Sequence, residues 1–489
     1  MIKSMECFIP VLILFIASVQ AGESDQPVTS NPIQVSGVFP HLAMVAEHSP
    51  RTEAGIGGLM PWAGRLWAVT YVAHLEGTGS GTGLYEIDAN LILHKRPESV
   101  VGTYANRLIH GGSNQAIIGP YIIDTQGTVR VIKGIQNHRL AATMEHLTDP
   151  KNKVYFLGME GEFFEVDVHT LETKKLFDLM KVLDEPKGSK PHFKSAFTHH
   201  GCVVVANNSY NERDYNGHWR AGRLAEWDGE RWTIIEHTAF TEVWGARASK
   251  SPMIATGWDA ASVILRVYCN GRWSRYRLPK GSHTFDETSY TEWMRIREVE
   301  TERALMDCHG LFYEVPYHTY NGQLWGIRPI SRHLRMIPDF CSWRGMLVLG
   351  GNQATPMQFS NVNDRNPLAG QPQAGLWFGK TDDLWGFGKP QGHGGVWRDK
   401  EVKAQETSDP YLFFGFDKKA VHLRNGSDYK TDFVLEVDFL GNGTWDMYSI
   451  LSVAPRGYTF HVFPEGYSAE WIRVRSLQRS KATVWFVYN

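Results

Sequence analysis

Leu84-Tyr85-Glu86-Ile87-Asp88, Tyr121-Ile122-Ile123-Asp124, Phe163-Phe164-Glu165-Val166-Asp167 and Leu224-Ala225-Glu226-Trp227-Asp228 are four renderings of one phrase. A short apolar run carries an acidic residue and ends near a turn. Weaker echoes follow at Leu265-Arg266-Val267-Tyr268-Cys269-Asn270, Leu311-Phe312-Tyr313-Glu314-Val315 and Gly375-Leu376-Trp377-Phe378-Gly379. A strand that alternates its side chains inward and outward before a Gly-containing turn, such as Asp228-Gly229 or Asn270-Gly271, accounts for the phrase. Recurrence every several tens of residues is the period expected when each repeat is one small sheet of a β-propeller. Seven echoes predict seven blades and an all-β fold, and functional residues are then to be sought where strands from different blades converge.

Working outward from the repeats, residues 37–405 are read as a seven-bladed propeller and residues 409–489 as a small β-sandwich. A chain of 489 residues is too long for one ordinary core, but stacked sheets escape that limit because each packs only on its neighbours. Residues 386–408 turn polar and Gly-rich, as a linker or the closing of the ring would. Beyond them, Phe433–Leu440, Tyr458–Phe463 and Ala482–Tyr488 read as antiparallel strands, with Gly441-Asn442-Gly443 as a turn. Helix signals are scarce, and the segment Leu176–Leu183 is the best short candidate. The 17 Trp residues suit wedges between blades or sugar-stacking surfaces.

The first 21 residues read as an export signal. Lys3 supplies a positive start, Phe8–Ala17 is apolar, and Val19-Gln20-Ala21 resembles a small-residue cleavage site. The apolar run is too short for a comfortable membrane span, so a secreted or periplasmic protein is expected. Cleavage leaves Cys202, Cys269, Cys308 and Cys341, whose wide spacing matches neither a zinc motif nor a dense disulfide scaffold. The formal charge of −2 argues against a nucleic-acid partner.

No phosphate loop, dinucleotide fingerprint or nucleophile elbow is present. The informative residues are polar ones lodged in apolar strands: His41 after Val38-Phe39-Pro40, Arg107 and His110 around Leu108-Ile109, and Arg139 and His146 around Leu140–Met144. His200 precedes Val203-Val204-Val205, His309 precedes Leu311-Phe312, and Gln353 follows Leu347-Val348-Leu349. Strand-end imidazoles are ordinarily hydrogen-bonded structural groups. Equivalent positions in different blades nevertheless point into one channel, where His146, His200, His309 and Gln353 could hold a cation. Imidazole nitrogen suits a transition metal and amide oxygen suits calcium.

Several stretches resemble a known family, the secreted seven-bladed propellers that act on the L-rhamnose-α-1,4-D-glucuronate cap of arabinogalactan proteins and gum arabic. The similar passages include Gly37–Met44, Pro61–Trp67, Arg96–Val100, Ala105–His110, His146–Pro150, Trp325–Ile330, Ile337–Gly345 and Phe439–Trp445. The resemblance implies an acidic plant-type glycan as substrate, cleavage as a lyase or as an α-L-rhamnosidase, and a divalent cation, calcium. It also implies a catalytic histidine near the N-terminus, for which His41 is the match, with His110, Arg107 and Arg139 in matching stretches. His199-His200-Gly201 departs from the family pattern, where a Gly-Gln pair is commoner.

Elimination at glucuronate needs a cation or Arg against the carboxylate, a base for the C5 proton and an acid for the departing rhamnose oxygen. Arg107 or Arg139 would take the first role by bidentate pairing, with His41 and His110 as base and acid in either order. Hydrolysis of the same bond would ordinarily need two carboxylates about 5–9.5 Å apart, and no such pair stands out. A non-catalytic glycan-binding propeller is the third reading.

Overall fold

A computed structural model describes residues 53–73, 83–211, 218–246, 251–282, 294–320, 322–354 and 372–489. Seven consecutive sheets make up its first part, each an antiparallel meander of sequence-adjacent strands. Their leading strands are Glu53–Trp62, Arg107–His110, Leu140–Glu145, Phe193–His199, Ala239–Gly245, Arg295–Glu300 and Asp339–Trp343. Six of the sheets have four strands within the meander; the seventh shows three, among the described residues.

Each occurrence of the repeated phrase is the third strand of its sheet, from Leu84–Ile87 in the first to Pro372–Gly379 in the seventh. The terminal aspartate has a local task. Oδ1 of Asp124 accepts hydrogen bonds from the backbone N–H groups of Gln126 and Thr128 at 2.9 and 2.8 Å. Asp88, Asp167 and Asp228 make the same Asx-type turn toward their fourth strands. These backbone donors hold all four carboxyls below the usual range. The phrase is therefore a strand plus the cap of the turn that ends it.

The leading strands also meet one another. Each lies beside those of the sheets before and after it, and the leading strand of the first sheet lies beside that of the seventh. Apolar clusters fill the spaces between adjacent sheets: Ile56, Leu59, Leu66 and Ala68 of the first sheet pack with Cys341, Trp343, Val348 and Leu376 of the seventh. Between the third and fourth sheets, Trp227 and Trp232 stack 6.0 Å apart and meet Phe163 and Phe177 edge-on. These tryptophans are wedges between sheets.

The C-terminal part contributes two layers. One is the sheet of Gly392–Val402, Ser480–Tyr488, Lys419–Asn425 and Tyr458–Val462. The other contains Tyr411–Leu412, Trp471–Ser476, Thr431–Asp438 and Asp446–Val453, and it continues the fifth sheet through a parallel pairing of Arg277 with Tyr411. Trp397, Tyr411, Trp471 and Phe486 share one buried cluster with Leu278, Met306 and Tyr313 of the fifth and sixth sheets. Gly392–Val402, inside the stretch expected to be a linker, pairs with the last strand of the chain because its Val396 and Trp397 belong to that core. The expected turn at Gly441-Asn442-Gly443 is present, with its N–H groups donating to the Asp438 carboxylate.

The α-helix within the expected segment is a single turn, Leu179–Val182. No helix among the described residues is long and apolar enough to cross a membrane. Cys202, Cys269, Cys308 and Cys341 are all free thiols. The expected signal segment 1–21 lies outside the described residues.

Candidate functional site

Charged residues in apolar strands survive burial only when paired, and five of them come together on the leading strands. Asp339 opens the seventh sheet. Its Oδ2 accepts from the Leu59 N–H of the first sheet at 2.7 Å and pairs with Arg107 Nε of the second at 3.0 Å. Its Oδ1 accepts from Arg297 Nε of the sixth sheet at 2.8 Å. Arg297 Nη1 reaches Glu242 Oε1 of the fifth sheet at 2.6 Å, and Arg295 Nη1 reaches Glu242 Oε2 at 2.8 Å. Arg107 further donates to the backbone carbonyls of Leu59 and Phe340, and Arg295 to that of Pro338.

This network ties five sheets together, and among the described residues it brings three guanidiniums to two carboxylates. The side chains of Asp339, Glu242 and Arg295 are 1–2% exposed, whereas Arg107 and Arg297 keep 18% and 16%. Burial works against the charge on Arg107, and Asp339 only partly offsets it; for Arg297, Asp339 and Glu242 together outweigh burial and raise its pKa. The two partly exposed guanidiniums thus sit beside carboxylates that are each already held by two guanidiniums. That arrangement can accept an anionic group. It offers no thiol chemistry, since burial pushes the neighbouring Cys341 up to about 12.

The remaining two sheets are joined by neutral bonds. Asn106 Nδ2 donates to Thr143 Oγ1 of the third sheet at 2.7 Å, and Ser195 Oγ of the fourth accepts from Val243 N–H at 3.1 Å. The Asn106 Oδ1 is buried without a hydrogen-bond partner.

Of the residues singled out in the sequence, Arg107 lies in this network. His110 does not. It is fully buried at the opposite end of its four-residue strand, with Nδ1 at 2.7 Å from Ser113 Oγ and Nε2 at 2.8 Å from the Pro150 carbonyl. Burial lowers its pKa, and both ring nitrogens are engaged by local partners. Arg139 pairs with Glu160 on a partly exposed loop. His41 lies outside the described residues.

Three of the four residues considered for a cation have described side chains, each with its own partners. His146 Nε2 binds Glu165 at 2.8 Å, while its Nδ1 accepts from the Thr148 and Asp149 N–H groups and caps that turn. His200 is exposed in a left-handed hairpin position (φ 52°), with Nε2 at 3.0 Å from the Ser251 carbonyl. His309 is fully buried, its ring 5.1 Å from that of Trp258. Gln353 sits in the strand Met346–Ala354, its side chain outside the described set. These imidazoles do not converge, and no group of three or more His, Cys, Asp or Glu able to hold a metal ion occurs among the described residues.

Asp339, Arg297, Glu242 and Arg295 were not singled out from sequence. The signal existed, in Arg295-Ile296-Arg297 and in Glu242 flanked by Thr241 and Val243, because charge in otherwise buried strands demands a partner. Which strand supplies that partner depends on the arrangement of the sheets.

No protein-family model and no curated protein matches this chain. Similar solved structures include the β-propeller domain of Cps50 (Swd1) from Myceliophteria thermophila, 10% identical, with a TM-score of 0.38 over 65% of this chain and 96% of that one. The WD40 repeats of RRP9 are 10% identical, with a TM-score of 0.37 over 71% and 99%. An exo-β-1,3-galactanase from Phanerochaete chrysosporium, solved with β-1,3-galactotriose, is 8% identical, with a TM-score of 0.29 over 90% and 96%.

Proposed function

We propose that the seven sheets close into a ring and that the chain is a secreted carbohydrate-active enzyme cleaving the terminal L-rhamnose-α-1,4-D-glucuronate linkage of acidic arabinogalactan-type glycans. The observation that supports this reading is the partial exposure of Arg107 and Arg297, two guanidiniums that lie on either side of the Asp339 carboxylate. A guanidinium fork matches the planar uronate carboxylate in geometry as well as charge.

The reaction is β-elimination. Pairing the carboxylate with Arg107 and Arg297 makes the C5 proton more acidic. A base removes that proton, the C4=C5 double bond forms, the C4–O bond breaks, and the rhamnose oxygen takes up a proton. By resemblance to the rhamnose-glucuronate family, His41 is the proton-transfer residue. Neither His110 nor Arg139 is assigned a part, given their local partners. No step is assigned to a cation, since His146, His200 and His309 supply no common ligand set.

Hydrolysis of the same bond is the second reading. It is disfavoured at this network because Asp339 and Glu242 are each held by two guanidiniums and are 1–2% exposed, which leaves neither free as nucleophile or acid. Incubation with gum arabic separates the readings. Release of rhamnose with an ultraviolet-absorbing unsaturated uronate is the expected outcome; rhamnose without that chromophore means hydrolysis, and no rhamnose leaves a binding module. His41→Ala is expected to lower turnover at least about a hundredfold while the protein stays folded.

A further inference from the structure

The outer face of one C-terminal sheet is unusual for a surface in contact with water alone. Along Tyr458–Val462 burial alternates, yet the exposed positions are Tyr458, Phe460 and Val462, at 59%, 58% and 60%. Strand register extends them into rows across the sheet. Phe460 lies opposite His422, and His422 opposite Trp485. Tyr458 lies opposite Arg424, and Arg424 opposite Thr483; Val462, Ala420, Val487 and His393 form the third row. The inner face of the same strands is the fully buried Val421, Leu423, Val484 and Phe486, so the outer rings contribute nothing to that core.

The rings are held in order. Tyr458, Phe460 and His422 lie 6.0–6.4 Å apart with interplanar angles of 20–28°, and His422 Nδ1 is 2.8 Å from the Tyr458 hydroxyl. Trp485 stacks with His393 at 6.2 Å and carries the Arg398 guanidinium 5.9 Å above its ring. Tyr458–Val462 is also an edge strand, where an exposed apolar run invites association unless it has a use.

We infer that this face is a second glycan-binding surface, separate from the network of the leading strands, and that its occupant is a uronate-containing polysaccharide chain. Flat rings fixed in a row match the C–H faces of successive pyranoses, and fixing them beforehand reduces the entropy lost on binding. Polar groups interrupt every row, whereas a protein–protein interface concentrates apolar area at its centre and depletes charge there. Arg398 and Arg424 supply the complement to carboxylates. The choice of an acidic chain rests on the proposed function; the surface itself rests on the sheet.

Affinity electrophoresis of the full-length protein through gels containing gum arabic, or carboxyl-reduced gum arabic, tests the proposal. Retardation is expected in the first gel and should weaken in the second. Tyr458→Ala/Phe460→Ala should weaken binding at least about tenfold, the equivalent of losing two stacking contacts. Its circular dichroism and its turnover of a rhamnosyl-glucuronate disaccharide should match the parent. Unchanged retardation in the double variant overturns the proposal. So does a dimer, seen by light scattering, that the double variant dissociates while retardation persists, since the face would then join two copies. If no substrate is turned over at all, the function proposed for the leading strands fails, while the gel comparison still decides this one.

Discussion

Two buried ionic clusters in this molecule use the same side chains to different ends. At the junction of the fifth sheet with the C-terminal part, Arg277 binds both oxygens of Asp259 at 3.0 and 2.8 Å and Asp409 at 2.8 Å. Arg266 binds Glu236 at 2.7 Å, and Arg275 lies within 3.4–3.7 Å of Glu236, Asp259 and Asp409. Three guanidiniums meet three carboxylates. At the leading strands, Arg107, Arg295 and Arg297 meet Asp339 and Glu242 among the described residues. We propose that the first cluster acts as a rivet and that the second, with Arg107 and Arg297 partly exposed, is a site for an anion.

The sharpest way to break this comparison is to remove the rivet's centre. Burial alone would raise the Asp259 carboxyl, but Arg277 outweighs it and holds the group well below the usual range. Arg277→Met leaves Asp259 with the Ala261 and Ser262 N–H groups and leaves both it and Asp409 with the more distant Arg275. The expected loss in unfolding free energy is about 3–5 kcal/mol, the usual result of stranding one half of a buried pair. Guanidinium-induced unfolding measures it.

Arg107→Met probes the other cluster, and its stability loss should be clearly the smaller, because Asp339 keeps Arg297 and the Leu59 N–H. The larger consequence is for binding. Affinity for a glucuronate-containing disaccharide should fall by about ten- to a hundredfold, from losing about 1.5–3 kcal/mol of charge-assisted hydrogen bonding. Titration calorimetry against the carboxyl-reduced sugar is the control. Equal losses for both sugars would make Arg107 a second rivet and erase the distinction.

The unequal legibility of the two parts has a physical origin. The repeated phrase was readable because its causes are local: period-two alternation buries one face, and an aspartate caps the next turn through N–H groups two to four residues away. The Gly441 turn was legible for the same reason. The ionic network was not, because Arg107 and Asp339 lie 232 positions apart and meet only through the packing of the first, second and seventh sheets. Burial could be expected for Glu242 and Arg295, but not their pairing. His110 stood out for the converse reason. A polar residue among apolar ones suggested a site, and its partners Ser113 and Pro150 support a second reading as a local staple.

His110→Ala separates the two readings. It removes the hydrogen bonds of both ring nitrogens and, on the staple reading, should destabilise the fold by about 1–3 kcal/mol while leaving turnover of the disaccharide within about twofold. A folded variant with a loss like that expected for His41→Ala would return His110 to the chemistry and separate the site from the cationic cluster.

Glu185 supplies an intermediate case and the smallest effect. Burial raises its pKa from 4.5 to about 7, although Ser209, Arg223 and Asn207 act in the opposite direction. Asn207 Nδ2 donates to its Oε1 at 3.0 Å, whereas Oε2 is buried without a hydrogen-bond partner. Unlike Asp259 and Asp339, this carboxyl has no guanidinium bonded to it among the described residues; the Nη atoms of Arg223 go instead to the carbonyls of Arg220, Gly222 and Asp184. The sign follows from linkage. A carboxyl whose folded pKa lies above its unfolded value holds its proton more tightly in the fold. Between the two values the unfolded chain ionises first, so stability falls as pH rises from 4.5 toward about 7 and is level beyond. The drop should be on the order of 1 kcal/mol, allowing for partial solvent access. Glu185→Gln, which keeps the hydrogen bond from Asn207 and cannot ionise, should flatten unfolding midpoints across that window and gain stability above it. A parent protein whose stability rises through the same window would instead show Glu185 ionised and paired with Arg223, a further neutral rivet.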